Sequence, residues 1–235
     1  MHNLKYFLLL FLVGSPLSYS QYKSDFMISD SARIPYFDFD NNGIIHMVWA
    51  NDQKRDKSAR YSALDSAGNV IHQARRISST IFVANPKLAI NDSLIACIWE
   101  DRVSLEVTYF STYIKGKILK NGLDYSDEVQ IDDGDLVPND ALRGGPEIIW
   151  HNDNILFAVW CGDGSRSPTD YSDVYMHKLK FPPLQKSMPL DEVLNNPFIS
   201  VTEGLPTIIR KSSGTGYMVI WVEKDSLSIL RIAGV

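Results

Sequence analysis

The chain has 235 residues, 45% of them hydrophobic and 22% charged, which is enough for one sizeable domain or an array of small repeats. Its 28 acidic and 23 basic residues give a net charge of −5 at pH 7. Nucleic acids and anionic membranes are bound through clustered cations, so this excess of acid argues against both as partners. With two cysteines, Cys97 and Cys161, the chain is not a small disulfide-stapled domain.

The first 20 residues have the pattern of a secretory signal peptide. Lys5 gives a basic start, residues 6–13 are apolar, and Ser18 and Ser20 place small side chains where a signal peptidase cleaves. The apolar run is too short to span a bilayer. We therefore predict a signal peptide at 1–20 and a single domain at 21–235 that is secreted, periplasmic or attached to the cell surface, without a membrane span.

One short motif occurs four times, an apolar run that ends in tryptophan. A proline lies 13 to 15 residues before each tryptophan, and an acidic residue follows two or three places after it. Between these positions, β-branched and aromatic runs alternate with turn residues, which predicts strands throughout. Strand-rich repeats of 50 to 61 residues indicate the blades of a β-propeller. The four tryptophans are Trp49, Trp99, Trp160 and Trp221.

The predicted fold is an all-β propeller of about four blades with four strands each. The blades are expected at about 31–79, 82–131, 143–201 and 203–235, with the last one lacking its outer strand. Residues 24–29 are expected to supply that strand, so that the N-terminus pairs with the C-terminal blade and closes the ring without an open edge. The alternative is a partial array that needs a partner.

A radial stack of sheets has consequences for the aromatic residues and the cysteines. Both faces of every blade are covered, so the tryptophans are expected to fill the gaps between the diverging sheets. Cys97 and Cys161 would lie on equivalent strands of neighbouring blades, offset by about 10 Å along the strand direction. That distance is too long for a disulfide, so we predict two buried thiols.

The order of proline, turn glycine, apolar run, tryptophan and acid resembles the blade repeat of secreted bacterial β-propellers, including sialidase-like repeat proteins. The resemblance covers nearly the whole chain after residue 20. It implies the fold and no single chemistry, because such proteins bind or cleave many ligands. The sialidase Asp-box is not reproduced, since Asp65 and Gly68 match only part of it.

The candidate binding residues lie on the loops that follow the tryptophans, where acidic and basic residues recur. The loop 161–171 and the connection 132–143 depart most from the repeat. Arginine side chains there would bind a carboxylated or hydroxyl-rich ligand, and repeated ion pairs that stabilise the loops are the competing explanation. The predicted ligand-binding residues are Asp52, Asp101, Arg102, Arg143, Asp163, Arg166, Asp170 and Tyr171.

We predict no cofactor, with calcium left as an alternative at two places. Asp38, Asp40 and Asn42 match the first half of a calcium loop, but Trp49 stands where the bidentate glutamate belongs. A second acidic cluster spans 132–135.

No motif for a serine, zinc or phosphate-binding active site occurs in the sequence. The expected function is therefore a monomeric, non-catalytic recognition or scaffold module that binds a glycan or a protein on its loops. The alternative is a glycoside hydrolase of sialidase-like type, with carboxylates and arginines in the central funnel; such chemistry needs two acids roughly 5–9 Å apart.

Overall fold

A computed structural model describes residues 29, 31–53, 56–102, 111–132, 137–138, 145–163, 172–187, 192–194, 201–210, 217–225 and 230–234. The chain divides into two units, Met1–Asp30 and Ser31–Val235, and the description below concerns the second.

The described residues of this second unit form 18 strands. The strands are β1 (Ala32–Phe39), β2 (Ile45–Asn51), β3 (Ala59–Leu64), β4 (Val70–Arg76), β5 (Val83–Asn91), β6 (Leu94–Arg102), β7 (Ser111–Lys120), β8 (Leu123–Asp124), β9 (Val129–Gln130), β10 (Val137–Pro138), β11 (Glu147–Asn152), β12 (Ile155–Asp163), β13 (Ser172–Lys180), β14 (Gln185–Lys186), β15 (Glu192–Val193), β16 (Val201–Arg210), β17 (Tyr217–Asp225) and β18 (Leu230–Gly234).

These strands form four separate antiparallel sheets in chain order, which confirms the all-β prediction. Sheet 1 has the order β1-β2-β3-β4, and sheet 2 has the order β10-β7-β6-β5, with β8 and β9 also paired to β7. Sheet 3 has the order β11-β12-β13-β14, with β15 paired to β13, and sheet 4 has the order β16-β17-β18. The first strands of neighbouring sheets contact one another, β1 with β5, β5 with β11 and β11 with β16. They are therefore the innermost strands of a radial array.

The first hairpin shows how the turn residues of the repeat act. Asp40 Oδ1 accepts hydrogen bonds from the backbone N–H groups of Asn42 at 2.9 Å and Ile44 at 2.8 Å. Gly43 has a φ of +77°, a conformation that glycine adopts without strain. The Asp40 carboxylate therefore stabilises the turn of this hairpin.

Tryptophans fill the spaces between the sheets, as predicted. Trp99 belongs to the apolar core between sheets 1 and 2, Trp160 to the core between sheets 2 and 3, and Trp221 to the core between sheets 3 and 4. Each of these side chains is at most 4% exposed, and Trp49 is 3% exposed. Burial of one such ring removes about 200 Å² from water. The repeated tryptophan is thus a packing residue directed at the preceding sheet.

The cysteines are also placed as predicted. Both are buried thiols without a disulfide. Cys97 lies in the core between sheets 1 and 2, whereas Cys161 lies in the core between sheets 3 and 4. Because two sheets separate these cores, a bond between the two sulfur atoms would require a different fold.

The outer strands differ from the prediction. The sequence predicts one continuous outer strand over 122–131, but the structure has β8 and β9 with an intervening turn, in which the N–H groups of Tyr125 and Ser126 both donate to Ile118 O. In sheet 3, β14 and β15 pair with β13, and Val201, which the prediction places at the end of the third blade, begins the innermost strand of sheet 4. The predicted closing strand lies outside the described residues except for Ser29. Within the described part of the chain, no helix has the length and apolarity needed to cross a membrane.

Candidate functional site at the axis

Three of the four innermost strands contain a proline at a β-bulge, and in the remaining one, β11, Pro146 directly precedes the strand. The pairing register shifts between Arg33 and Tyr36 in β1 and between Ala84 and Lys87 in β5, and β16 has the same irregularity around its proline. Proline has no N–H group to donate to a neighbouring strand, and a bulge is one of the few places in a sheet that accept it. The regular proline spacing in the sequence therefore marks the same level of the axis in successive sheets.

Sheets 2 and 3 touch at this level. A Cβ atom on Gly145 would lie 2.3 Å from the Cβ atom of Asn85, so a side chain does not fit there. Asn85 has a φ of 46°, a left-handed conformation that asparagine tolerates better than most residues. Its Nδ2 donates a hydrogen bond to Glu100 Oε1 at 2.9 Å. The innermost strands are thus held in close approach around the axis.

The residues that follow three of these prolines contact one another. Lys87 Nζ lies 2.6 Å from Glu147 Oε1 and 4.4 Å from the centre of the Tyr36 ring. The side chains of Lys87 and Glu147 are 23% and 22% exposed, so a ligand has access to them. Thr207 holds the same position after its proline in sheet 4 and is exposed. We call Tyr36, Lys87 and Glu147 the axial cluster.

A second carboxylate lies beside the axial cluster. The pKa of Tyr36 is raised mainly by burial and further by the negative charges of Glu147 and Asp38. The phenol therefore remains protonated at neutral pH and retains a proton to donate. Asp38 is two residues further along β1, so its side chain emerges on the same face as that of Tyr36. Two carboxylates, an ammonium group and a phenol are brought together here from three sheets.

Half of the predicted ligand-binding residues are described by the structure. Asp52 directly follows β2, Arg102 ends β6 and Asp163 ends β12, so all three adjoin the loops between second and third strands. Arg143, Arg166, Asp170 and Tyr171 lie outside the described residues.

The loop between β2 and β3 lies beside the connection between sheets 1 and 2. Lys57, in the loop between β2 and β3, donates its N–H to Ile81 O and accepts from Val83 N, both at 2.9 Å. Ile81 and Val83 belong to the connection that leads into sheet 2 and to the start of β5. We call this end of the array the loop face.

Asp101 is buried and makes structural contacts. Its carboxylate pairs with Lys115 Nζ, which also lies 3.2 Å from Glu128 Oε1. Burial disfavours the ammonium form of Lys115, but the two carboxylates outweigh this effect and raise its pKa. Glu128 in turn accepts hydrogen bonds from the N–H and Oγ groups of Ser79, each at 2.7 Å. The Asp101 ion pair therefore helps to fasten the connection between sheets 1 and 2.

The absence of a cofactor stays a prediction, with calcium as its alternative. Among the described residues, no three His, Cys, Asp or Glu side chains are grouped so that they would hold a metal ion. Asp40 accepts the backbone hydrogen bonds of its turn, and Asp38 Oδ1 accepts one from Phe39 N at 2.8 Å. In the second acidic cluster, Asp132 Oδ2 accepts a hydrogen bond from Ile114 N at 2.9 Å, and 133–136 lie outside the described residues.

Sequence reasoning missed the axial cluster because no motif surrounds its members. The regular spacing of the prolines in the sequence is the signal that would have found it. Comparing the residues directly after each proline gives Tyr36, Lys87, Glu147 and Thr207, which differ in chemistry although they occupy one repeated position. The position after the proline is thus geometrically equivalent in the four repeats but differs in residue type. Such a difference indicates a specialised site, since a packing requirement would repeat the same kind of residue.

No protein-family model matches the chain, and no curated protein is similar to it in sequence. Two of the solved structures that are similar in fold are glycan-degrading enzymes. An alpha-L-arabinanase of Penicillium chrysogenum complexed with arabinobiose is 13% identical with a TM-score of 0.53, over 90% of this chain and 65% of that chain. A thermostable family-43 glycoside hydrolase is 12% identical with a TM-score of 0.51, over 84% of this chain and 69% of that chain.

The chain has a propeller-like fold. At such low identity the similarity establishes the fold and leaves the activity to be tested. Family-43 glycoside hydrolases are five-bladed β-propellers, whereas the described residues of this chain form four sheets and the chain spans 65–69% of the two similar structures.

The comparison corrects the predicted function. The sequence led us to expect a non-catalytic recognition module without enzymatic activity, and that expectation is wrong, because the structures that share the fold are glycoside hydrolases. The physical reason for the error is that a propeller gathers its site from single residues on separate innermost strands. No local motif is then needed. The sialidase-like part of the resemblance stays a prediction.

Proposed function

We propose that the protein is a glycoside hydrolase whose active site is the axial cluster with Asp38. The observation that carries this proposal is the 2.6 Å contact between Lys87 Nζ and Glu147 Oε1 beside the ring of Tyr36, at the axis of a fold shared with glycoside hydrolases. The residues come from three sheets at one register position, which is the arrangement that a funnel-shaped site requires.

Hydrolysis of a glycosidic bond needs two carboxyl groups. One protonates the departing glycosidic oxygen, and the other either activates water or attacks the anomeric carbon, at separations of roughly 6.5–9.5 Å or 5–5.5 Å respectively. Asp38 and Glu147 are the two carboxyl groups of this site. Lys87 orients Glu147 through their ion pair and stabilises negative charge, and the phenol of Tyr36 donates a hydrogen bond to a sugar oxygen.

We propose that the glycan enters from the loop face. The Penicillium enzyme, whose fold is similar, was solved with arabinobiose, a neutral sugar, which favours a neutral glycan and makes arabinan the first polysaccharide to try. Asp52, Asp163 and the predicted residues of the loop 161–171 would contact sugars outside the cleaved bond. Asp163→Ala is then expected to raise KM for a polysaccharide several-fold while leaving kcat nearly unchanged.

The test is hydrolysis of a panel of 4-nitrophenyl glycosides and of arabinan, galactan and arabinoxylan. Glu147→Gln should lower kcat/KM by about 10²–10⁴-fold, because it removes an acid–base group while keeping size and hydrogen bonding. Asp153→Asn is the matched control, since this carboxylate lies in the hairpin turn of sheet 3 and accepts a hydrogen bond from Asn91 Nδ2 at 3.1 Å. Equal activity of Glu147→Gln and wild type, or hydrolysis of no substrate, would overturn the proposal.

Ring closure is a further part of the proposal. We propose four blades, closed by residues 24–29, in a monomer that is exported after loss of residues 1–20. The support is that the outward face of sheet 1 is apolar, with Phe37 and Phe39 58% and 56% exposed and in edge-to-face contact at 5.9 Å. A closed ring would cover such a face. Deleting residues 21–29 should therefore lower Tm or cause association on a sizing column, and an unchanged monomer would contradict closure.

A further inference from the structure

A second pocket lies between the outer parts of sheets 2 and 3. It has a volume of about 610 Å³ and is lined by Lys117, by residues 124–127 and Val129 of sheet 2, and by the turn 181–184 of sheet 3. The turn after β7 meets the hairpin turn of sheet 2, where Asn121 N donates to Ser93 O, and the turn after β13 meets that of sheet 3, where Phe181 N donates to Asn154 O. The pocket is therefore at the hairpin end of the array, whereas Glu147 of the axial cluster begins β11 at the other end of that strand.

One wall of this pocket is aromatic, and its rings pack against the apolar core. The Tyr125 ring is 50% exposed and lies 5.5 Å from the Phe181 ring. Phe181 is 6% exposed and makes edge-to-face contact with Trp150 at 6.2 Å. Lys120 Nζ lies 5.1 Å from the centre of the Tyr125 ring and restrains it further. Tyr125 is thus a half-exposed ring resting on the core between two sheets.

Another part of the pocket wall is polar and fixed in position. Asp124 Oδ2 pairs with Lys117 Nζ at 2.6 Å, and Asp124 Oδ1 pairs with Arg75 Nη1 at 2.7 Å. Burial opposes ionisation of Asp124, but the hydrogen bonds from Lys117 and Arg75 outweigh it and lower its pKa. Each oxygen of the carboxylate keeps a lone pair for another donor, and the ammonium group of Lys117 keeps further protons to donate. Asp127 also lines this wall.

We propose that this pocket is a second, non-catalytic binding site for a neutral glycan. A sugar ring has an apolar face of C–H groups, which would stack on Tyr125, and a rim of hydroxyl groups, which would donate to Asp124 and accept from Lys117. The volume falls within the range of ordinary ligand pockets. The charged groups in the lining, Lys117 with Asp124 and Asp127, carry no excess of positive charge, which disfavours phosphates and acidic sugars. A purely apolar ligand would desolvate these groups without offering them hydrogen bonds.

The site stands on its own contacts and does not depend on the axial cluster being catalytic. If the axial site does hydrolyse a polysaccharide, the pocket would hold the chain elsewhere on the same molecule and raise its effective concentration. Short substrates would gain nothing from it. Binding and catalysis are therefore separable in an experiment.

Affinity electrophoresis tests the proposal, with arabinan, galactan, arabinoxylan and polygalacturonate included in native gels. Wild type should be retarded by at least one neutral polysaccharide and not by polygalacturonate. Tyr125→Ala should weaken that retardation about five- to tenfold, as expected for loss of an aromatic contact, whereas Tyr125→Phe should keep it. Leu123→Ala is the matched control, because Leu123 is 62% exposed on the same segment and does not line the pocket.

Two readouts separate this site from the axial one. Tyr125→Ala should leave hydrolysis of a 4-nitrophenyl glycoside unchanged, and thermal unfolding should show that it remains folded. The proposal is overturned if no neutral polysaccharide retards the wild type, or if Tyr125→Ala and wild type are retarded equally. Retardation that survives in a protein without hydrolytic activity would support this site and refute the proposed function separately.

Discussion

Replacing Gly145 by alanine tests whether the innermost strands are packed as described. The new Cβ atom would lie 2.3 Å from Asn85 Cβ and 3.0 Å from Asn85 Cγ, well inside van der Waals contact. Asn85 has little freedom to yield, because its backbone is left-handed and its Nδ2 is bonded to Glu100. Overpacking of this kind costs about 1–3 kcal/mol. For a domain of this size, each kcal/mol corresponds to roughly 2–4 °C in Tm.

A double-mutant cycle with Asn85→Gly makes this prediction specific to the contact. Asn85→Gly removes the clashing side chain and suits a positive φ, at the loss of a hydrogen bond worth about 1 kcal/mol. We expect the midpoint of urea unfolding to fall for Gly145→Ala and to recover in part for the double variant. If the losses of unfolding free energy in the two single variants add in the double variant, or if Gly145→Ala leaves the midpoint unchanged, the close approach of sheets 2 and 3 at the axis is refuted.

Three further predictions concern single side chains and metal. Burial lowers the pKa of His46 and outweighs the attraction of Asp40, so the folded state favours the neutral ring. The contribution of His46 to stability should be full above about pH 6.5 and should fall as the pH drops below that value. His46→Asn should flatten this slope in unfolding measured from pH 7 to 5. Trp99→Ala should cost about 3–5 kcal/mol in urea unfolding, because the ring is fully buried between sheets 1 and 2; a cost below about 1 kcal/mol would contradict that placement. Chelation with EDTA should leave Tm unchanged, because Asp40 already accepts the hydrogen bonds of its own turn, and a rise of several degrees with millimolar calcium would reverse this view.

The sequence was informative wherever a physical requirement repeats. Each blade needs a large side chain between diverging sheets and a turn that reverses the chain, so tryptophans and turn residues recur at readable intervals. Trp99, Trp160 and Trp221 are placed accordingly, and so are the hairpins. The outer strands were harder to predict, because they are short and their pairing depends on local turns such as the one at Tyr125, where two N–H groups compete for Ile118 O.

The candidate site was not predicted because its residues differ in chemistry from one sheet to the next. Tyr36, Lys87 and Glu147 have no shared residue type and no local motif, and only the proline register relates them. The charged pattern that the sequence does repeat led instead to Asp101, whose carboxylate is 2% exposed and holds Lys115. A residue type that repeats in every blade of a propeller therefore indicates a structural role. A position at which the residue type changes from blade to blade is the better indication of chemistry.

A crystal structure of the Glu147→Gln variant, grown with an oligosaccharide that the wild type cleaves, tests the central claim most directly. We expect a sugar ring at the axis, stacked near Tyr36, with its glycosidic oxygen or anomeric carbon within reach of residue 147 and of Asp38. An oligosaccharide bound only elsewhere, with Lys87 and residue 147 still in contact and no sugar beside Tyr36, would contradict it.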